Sequence, residues 1–383
     1  MKKRLLAVVL AAAMVFGCVV GCGNKEASTN DEASATEEAA PAGEEFKLAV
    51  GLPDSGSTMF SLMSHNITTM VNDLGGTVVF QGGVGASTDA TIQFVEDQIA
   101  AGAKGIIFSP PSDAVLTSVC SMCEEAGVYW GITFRTILDQ DVLDFINASE
   151  YYIGNCYEDE EQAGYQVMAD MHERGIKKVA IISQAKGNTT TDRREAGAQK
   201  ACEELGMEIV AEARALGQAS DATSAAESFL SAYSDLDAIF VVGTTGAGMH
   251  EAVAKAIEDA GKSDRVKLAT IDFPDTMPEL FEKDCLVSSA GLISWGYDPY
   301  MITTILANRV KGTPITEEKV SIAFPMSSIN DADSAKKWTD RFGDASTLYY
   351  EEEVIKNTLD KGNNADLTLE KLVQLIEEYT SNI

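Results

Sequence analysis

Residues 97–115 read DQIAAGAKGIIFSPPSDAV and contain a helix end, a short strand and the beginning of a second helix. Apolar residues at helical spacing lead into this stretch and stop at Gly102, and glycine often follows the last turn of a helix. The run 105–108 begins with a Gly, continues with branched and aromatic apolar residues, and is followed by Ser-Pro-Pro-Ser-Asp. This pattern favours a buried strand followed by a turn. The stretch therefore predicts one helix–strand–helix unit of an α/β protein.

The same alternation of short apolar strands and helices continues on both sides of this unit. The predicted strands are 46–50, 77–80, 105–108, 128–134, 178–182, 208–213, 238–242 and 266–271. The predicted helices lie near 60–74, 92–102, 112–126, 192–204, 220–231 and 247–260. Strands and helices that alternate in this way are typical of parallel sheets covered by helices on both faces.

The chain also contains an internal repeat. The strand at 105–108 is followed by a turn, a helix and Glu124-Glu-Ala-Gly127, and the strand at 238–241 is followed by a turn, a helix and Glu258-Asp-Ala-Gly261. This repeat predicts two similar, doubly wound lobes with parallel sheets. Because ligands of such sheets bind beyond the carboxyl ends of the strands, we expect a ligand cleft between the lobes.

The N-terminus has the features of an export signal. A basic head at 2–4 precedes an apolar run at 5–16 that is too short to span a bilayer, since a membrane helix needs about 20 apolar residues. Val19-Val-Gly-Cys22 resembles the bacterial lipobox, so we predict a lipoprotein signal peptide at 1–21 and lipidation of Cys22, with Cys18 as the alternative. Residues 22–45 are polar and acidic, which predicts a disordered tether that anchors the protein outside the cell membrane.

The composition argues against several classes of partner and site. Removal of residues 1–21 takes away three basic residues and moves the formal net charge from −30 to about −33, which opposes binding to nucleic acid. Five of the seven Cys lie after residue 22, and Cys120-Ser-Met-Cys123 falls inside a predicted helix, so we interpret the pair as small buried side chains. The three His are isolated, and no metal site is predicted.

Four pieces of the chain together carry a resemblance to a known family. The most specific is 97–115, and the supporting pieces are 152–155, 193–197 and 270–273. In this order they resemble the periplasmic sugar-binding proteins of the ribose and galactose type, which serve ABC importers. The resemblance implies an extracytoplasmic substrate-binding lipoprotein that acts as a monomer. It would capture a small polar solute, a sugar or a sugar derivative, and deliver it to an ABC permease in the membrane.

The resemblance also implies that each lobe is discontinuous and that a three-segment hinge joins the two. Lobe one would combine 46–149 with 291–325, and lobe two would be 150–290. Residues 326–383 would form a C-terminal extension. Within it, apolar residues at helical spacing over 367–379 predict an amphipathic helix that packs on the lobes.

By the same resemblance, the ligand contacts of lobe one come from loops that follow strands. Met59 and Phe60 stand where the family carries aromatic side chains that stack on a sugar face. Trp295 is a candidate for a second stacking ring, and core packing is the alternative for both rings. Arg135 stands in the position of the family's Asp-Arg pair, in which Phe134 here replaces the Asp.

In lobe two, Arg194 and Asp272 match the family's ligand-binding Arg and the Asp that accepts hydrogen bonds from sugar hydroxyls. The turn that contains Thr244 replaces the family's usual Asn-Asp. An Asp and an Asn are thus lost while two Arg are retained. The identity of the ligand therefore stays open: it is an anionic, amidated or smaller polar solute rather than a plain hexose, or else a signalling furanose or a nucleoside.

The motifs of common enzymes on doubly wound sheets are absent from the sequence. It has no G-x-G-x-x-G after the first strand, no G-x-x-x-x-G-K-[ST] and no G-x-S-x-G. We therefore predict no catalytic residue and no cofactor, and expect that the protein is not an enzyme. A ligand-sensing co-receptor for a membrane signalling protein is the main alternative, and an enzyme on a doubly wound fold is the second.

Overall fold

The structure is a computed structural model that describes residues 45–53, 56–214, 217–243, 248–293 and 296–381. The predictions for the signal peptide, Cys22, Thr244 and Trp295 lie outside these described residues, as does nearly all of the predicted tether. Two six-stranded sheets organise the described chain. Each sheet, together with the helices that cover it, is called a lobe below.

The strands divide cleanly between the two sheets. Those of lobe one are β1 (Phe46–Leu52), β2 (Gly76–Gly82), β3 (Gly105–Phe108), β4 (Tyr129–Thr133), β5 (Tyr152–Glu158) and β11 (Val320–Phe324). Those of lobe two are β6 (Lys178–Ile182), β7 (Glu208–Ala213), β8 (Ala238–Val241), β9 (Lys267–Ile271), β10 (Leu286–Gly291) and β12 (Ser327–Ile329).

Helices connect most of these strands. The α-helices are α1 (Thr58–Asp73), α2 (Thr88–Ala100), α3 (Leu116–Ala126), α4 (Gln140–Asn147), α5 (Glu160–Glu173), α6 (Thr189–Leu205), α7 (Ala219–Ala232), α8 (Met249–Asp259), α9 (Met277–Glu282), α10 (Tyr297–Val310), α11 (Ala332–Phe342), α12 (Glu352–Val354) and α13 (Leu369–Ser381). A 3₁₀ turn (Asp113–Val115) precedes α3, and a π-helical turn (Ile355–Leu359) follows α12.

Both sheets have the strand order of a doubly wound fold. The sheet of lobe one runs β11-β5-β4-β3-β1-β2 and is parallel throughout. The sheet of lobe two runs β12-β10-β9-β8-β6-β7 and is parallel apart from β12, which is antiparallel to β10. The first strand of each lobe lies inside its sheet, so the chain winds in both directions from it. The predicted α/β fold with two similar lobes is confirmed.

Strand β1 shows why the sequence folds in this way. Successive side chains of a strand point to opposite faces. Leu48 and Val50 pack in the core that includes α1 and α10, whereas Ala49 packs in the core that includes α2 and α3. Both faces are covered by helices, which explains why β1 reads as a nearly continuous apolar run.

The chain crosses between the lobes after β5, after β10 and after β11, which matches the three-segment hinge. The predicted boundary at residue 150 needs a correction. Strand β5 pairs with β4 and β11, so it belongs to the sheet of lobe one. Residues 327–329, which we assigned to the extension, form β12 in the sheet of lobe two. Sheet membership depends on a pairing partner that is distant in sequence, and local patterns do not reveal it.

The C-terminal strap, residues 330–381, crosses between the lobes a fourth time. In lobe two, α11 packs on α9, and the Trp338 ring lies 4.7 Å from that of Phe273. In lobe one, Asn66 binds the strap backbone, donating from Nδ2 to the Thr347 carbonyl at 2.8 Å and accepting from Tyr349 N at 2.7 Å. Further along, Leu369–Ser381 form α13, and the Leu372 side chain on this helix is buried. The C-terminal strap therefore packs on both lobes.

The cysteines of the described chain are structural. Cys120 and Cys123 are 3% and 0% exposed on the core face of α3, as predicted, and all five described Cys are free thiols. Burial raises the pKa of Cys123 to about 12, which keeps this thiol protonated and unreactive. Over the described ranges, no helix combines the length and apolar character needed to cross a membrane.

Candidate functional site

The turn after β4 brings Arg135 to the edge of lobe one. Phe134 adopts a left-handed backbone with φ 64°. The buried Asp298 carboxylate holds this turn, since its Oδ2 accepts hydrogen bonds from the Thr133 hydroxyl at 2.9 Å and from Phe134 N at 3.1 Å. The Arg135 carbonyl accepts a further hydrogen bond from Asn155 Nδ2 at 3.1 Å. The backbone at Arg135 is thus fixed from two sides.

The Arg135 guanidinium is only weakly bound within the described part of the chain. Its hydrogen bond there is a long contact of 3.4 Å from Nη1 to the Phe134 carbonyl. Burial lowers its pKa, and the charges of Glu160 and Arg194 act on it in opposite directions. Because both of these residues belong to lobe two, Arg135 faces lobe two across the cleft. A guanidinium has five N–H donors, and the hydrogen bonds among the described residues use one of those of Arg135.

Arg194 is held rigidly in lobe two. It lies on α6, is 5% exposed, and donates from Nε to Glu160 Oε2 at 2.5 Å. Its Nη1 donates to the Val242 carbonyl, just after β8, at 3.0 Å. Burial alone would lower the pKa of Arg194, but the carboxylates of Glu160 and Asp272 raise it above its usual value. Arg194 is therefore a fixed positive charge.

Two glycines let α5 and α6 approach closely enough for this ion pair. A Cβ atom built on Gly164 would lie 1.8 Å from the Arg194 carbonyl oxygen, and one built on Gly197 would lie 1.9 Å from the Glu161 carbonyl oxygen. Any larger residue would push the helices apart. Residues 193–197 carry part of the family resemblance. They include both Arg194 and Gly197, the glycine that lets α6 pack closely on α5.

Asp272, directly after β9, lies near the Arg194–Glu160 pair. Its backbone is left-handed, with φ 68°, and its amide donates to the Ala290 carbonyl at 2.7 Å. The Ser289 hydroxyl donates to the Asp272 carbonyl. The Asp272 carboxyl acts on the pKa values of both Glu160 and Arg194. The structure thus brings Arg135, Arg194 and Asp272 together at one cleft.

Met59 and Phe60 lie in the first turn of α1 and are half-buried. The Phe60 ring packs edge-on against Phe80, with 4.9 Å between the ring centroids. In the same turn, the Thr58 hydroxyl donates to Asp275 Oδ2 at 3.2 Å, which places this turn opposite the loop that begins at Asp272. Contact of Met59 or Phe60 with a ligand stays a prediction.

Three buried carboxyls beside these residues, those of Glu158, Glu160 and Asp298, were not predicted. Together with Arg135, Arg194 and Asp272 they are called the cluster below. Glu158 ends β5, Glu160 begins α5, and Asp298 lies in the first turn of α10. Their exposed fractions are 9%, 2% and 0%. The acidic run Glu158-Asp-Glu160, at the junction of β5 and α5, was the signal that could have revealed two of them. No group of three or more metal-ligating side chains is placed to bind a metal ion within the described ranges.

Burial shifts the titration of these carboxyls. It raises the pKa of Asp298 to about 8, and burial together with the neighbouring Glu160 raises the pKa of Glu158. For Glu160 itself, burial outweighs the opposing effect of Arg194, and its pKa is also raised. Burial disfavours the charged form of an acid, so these groups tend to bind protons in the unliganded protein.

We expect the unliganded protein to lose stability as the pH rises from about 6 to about 8. In this window the folded protein holds a proton on Asp298 that the unfolded chain, with an ordinary Asp pKa, has released. One such proton changes the free energy of unfolding by up to about 1.4 kcal/mol per pH unit. Asp298→Asn should reduce this slope, whereas Glu161→Gln, at a more exposed carboxyl, should keep it. Urea unfolding across the window measures both, and equal slopes in the wild type and Asp298→Asn would contradict the assignment.

The sequence matches one family over most of its length. A family model described as periplasmic binding protein domain matches residues 48–312. No curated protein matches the chain at a significant level.

Solved structures share the fold at low sequence identity. A periplasmic solute binding protein of an ABC transporter from Actinobacillus succinogenes, with bound D-allose, is 18% identical, with a TM-score of 0.65 over 76% of this chain and 100% of that chain. A myo-inositol binding protein from Caulobacter is 16% identical, with a TM-score of 0.64 over 78% and 97%. A 5-methylthioribose transporter solute binding protein from Thermotoga lettingae is 17% identical, with a TM-score of 0.61 over 87% and 97%.

Proposed function

The chain belongs to the periplasmic binding protein domain family, and on that premise we propose that it is an extracytoplasmic substrate-binding lipoprotein of an ABC importer. It captures a small polar solute, a sugar or a sugar derivative, in the cleft between its lobes. It acts as a monomer without a catalytic step, and its membrane partner is an ABC permease.

One observation carries this proposal: charged side chains from both lobes meet at the carboxyl ends of the two sheets. Arg135 comes from lobe one, and Arg194 and Asp272 come from lobe two. Such a constellation suits a ligand that donates and accepts many hydrogen bonds. The structures with the same fold are described as binding proteins for D-allose, myo-inositol and 5-methylthioribose, all of which carry several hydroxyl groups.

Thermal unfolding in the presence of candidate solutes tests the proposal. A ligand that binds only the folded protein stabilises it by about 2.7 kcal/mol at about 100 times its dissociation constant. We therefore expect a rise in melting temperature with at least one sugar or sugar derivative in a panel that also contains nucleosides and amino acids. A panel without any sugar-dependent shift would count against the sugar-binding function.

The two lobes should contribute separately to affinity. A charged hydrogen bond contributes about 1.5–3 kcal/mol, so Arg135→Ala and Asp272→Ala should each weaken binding by about one to two powers of ten. Arg135 is only partly buried, and Arg135→Ala should change the melting temperature of the unliganded protein little. Asp272→Ala should melt at a somewhat lower temperature, because alanine tolerates the left-handed backbone at this position less well than Asp. Arg194→Ala should also unfold more easily, because it leaves Glu160 buried without its counter-charge.

The neighbouring Arg193 supplies the matched control for this comparison. It lies 4.0 Å from both Asp159 and Glu161, two partly exposed carboxylates, and not in the cluster. Calorimetric titration of Arg193→Ala should give the wild-type affinity. Wild-type affinity in Arg135→Ala, Asp272→Ala and Arg194→Ala as well would show that the ligand binds elsewhere.

Membrane attachment depends on Cys22 in this proposal. The support is the lipobox-like sequence that ends at Cys22 and the polar tether that follows it. In the native host, Cys22→Ala should release the protein from the membrane fraction, whereas Cys18→Ala should leave it there. Mass spectrometry of the mature N-terminus checks the same point, and an unmodified N-terminus at another residue would refute it.

A further inference from the structure

The C-terminal strap is attached on both sides of the point where it crosses between the lobes. On lobe two, Trp338 and Phe342 of α11 are 2% and 0% exposed, and the Trp338 ring packs on Phe273. On lobe one, the Asn66 side chain binds the strap backbone as far back as Thr347. Only residues 343–346, called the strap linker below, lie between these two attachments.

The attachment to lobe one continues well beyond Asn66. The Tyr349 ring packs on that of Tyr297 in α10, with 5.4 Å between the ring centroids. Asn308, also on α10 and 0% exposed, donates from Nδ2 to the Leu359 carbonyl at 2.9 Å and accepts from Lys361 N at 2.7 Å. The strap would therefore have to lose buried packing and buried hydrogen bonds before it could detach from this lobe.

The strap linker has little slack. Thr347 N donates to the Asp344 carbonyl at 2.9 Å, and the Cα atoms that such a turn joins lie within about 7 Å of each other. The Asp344 carboxylate steadies the turn, since it accepts from Ser346 N at 2.9 Å and from the Ser346 hydroxyl at 2.7 Å. An extended chain spans about 3.3–3.6 Å per residue, so opening this turn would lengthen the linker by only about 4 Å.

The strap joins the same two elements that meet at the rim of the cleft. Thr58, at the start of α1 in lobe one, donates to Asp275 of lobe two at 3.2 Å. Asn66 lies about two turns further along α1, and Phe273, on which Trp338 packs, precedes Asp275 by two residues. These elements have to separate if the cleft opens on this side, and the strap linker restricts how far they can do so.

We propose that the C-terminal strap is a stop on the hinge, which limits the opening of the cleft and keeps the unliganded protein close to its ligand-binding arrangement. A hinge of three segments alone lets two lobes swing apart and close on a ligand. With the strap attached, Phe342 and Thr347 can separate by at most about 17–18 Å, the span of the extended linker. A binding-competent state that is populated without ligand strengthens binding, because the observed dissociation constant increases as the fraction in that state falls. This role goes beyond the proposed function and does not depend on which solute the cleft takes.

A longer linker tests the stop directly in the unliganded protein. An insert of about twelve alternating Gly and Ser residues between Gly343 and Asp344, which are both exposed, adds up to about 40 Å of reach and keeps both attachments. The matched control has the same insert between Ala365 and Asp366, also exposed. That position follows the attachment of Lys361 to α10, so the control insert cannot lengthen the connection between the lobes.

Small-angle X-ray scattering measures the opening as a change in the radius of gyration. We expect a larger radius for the linker insertion than for the control insertion, because the lobes of the first variant can swing apart. The control insertion should exceed the wild type only by the contribution of the inserted residues. Equal radii in the two insertion variants would show that the strap does not limit the cleft, and they would overturn the proposal.

A disulfide across the cleft distinguishes opening from local unfolding of the strap. Thr58→Cys combined with Asp275→Cys places two thiols where the native side chains are in contact, so oxidation should hold the rim closed. The five described native Cys are buried and should react little. Oxidation should return the radius of gyration of the linker insertion to that of the control insertion, and reduction should restore the difference. An expansion that persists after oxidation would mean that the insert has unfolded part of the strap, and it would refute the stop.

Discussion

Trp338→Ala should lower the free energy of unfolding by about 3–5 kcal/mol, the usual range when a large buried aromatic side chain is truncated. Trp338 is 2% exposed, and its ring lies 4.7 Å from Phe273 and 5.3 Å from Phe342. Its indole Nε1 donates to the Ile293 carbonyl at 3.0 Å, on the segment by which the chain returns from lobe two to lobe one. The substitution therefore removes both the packing of α11 on lobe two and a hydrogen bond to a crossing segment.

Urea unfolding measures this effect, and two further variants make it specific. Trp338→Phe keeps a ring but loses the N–H donor, so we expect a smaller loss of stability than for Ala. Phe145→Ala removes an aromatic side chain that is 48% exposed, and it should be nearly neutral. If Trp338→Ala were as stable as Phe145→Ala, α11 would not be packed on lobe two as the structure places it.

The sequence predicted the fold well because its signals are local. Runs such as 105–108 and 178–182 are short, branched and apolar, and the structure has strands at these residues. The place of β5 was not predictable in the same way. It is not among the strands predicted from the sequence, and only its pairing with β4 and β11 assigns it to lobe one. The packing of the C-terminal strap was unpredictable for the same reason. An amphipathic pattern shows that one face of a helix is buried, but it does not show which element that face packs on.

The candidate site was predictable only in part, and for a related reason. Arg135 and Asp272 follow strands directly, and the carboxyl ends of parallel strands are the expected place for ligand contacts. Asp298 lies inside the first turn of a helix and reaches the cluster because its carboxylate holds the turn at Phe134. Nothing in the local sequence distinguishes it from an ordinary acidic residue near a helix N-terminus.

Gly164→Ala should destabilise the protein and weaken ligand binding together, although Gly to Ala inside a helix is normally stabilising by about 0.5–1 kcal/mol. The sign reverses here because the new Cβ atom would lie 1.8 Å from the Arg194 carbonyl oxygen and 2.7 Å from its carbonyl carbon. A helix backbone cannot turn away from such a contact, so α5 and α6 must separate. Overpacking of this kind typically costs about 1–3 kcal/mol. Separation also stretches the 2.5 Å bond between Arg194 and Glu160, and with it the lobe-two side of the cleft.

The reversed sign makes this variant informative about the site as well as the fold. Gly197→Ala should behave in the same way, since its Cβ atom would lie 1.9 Å from the Glu161 carbonyl oxygen. Gly217→Ala is the matched control, because a Cβ atom there meets nothing within 4 Å. The melting temperature and the ligand affinity should both fall in Gly164→Ala and Gly197→Ala. Both should stay at the wild-type value in Gly217→Ala. A Gly164→Ala protein that melts at or above the wild-type temperature would mean that α5 and α6 do not approach this closely, and the rigid seating of Arg194 would lose its physical basis.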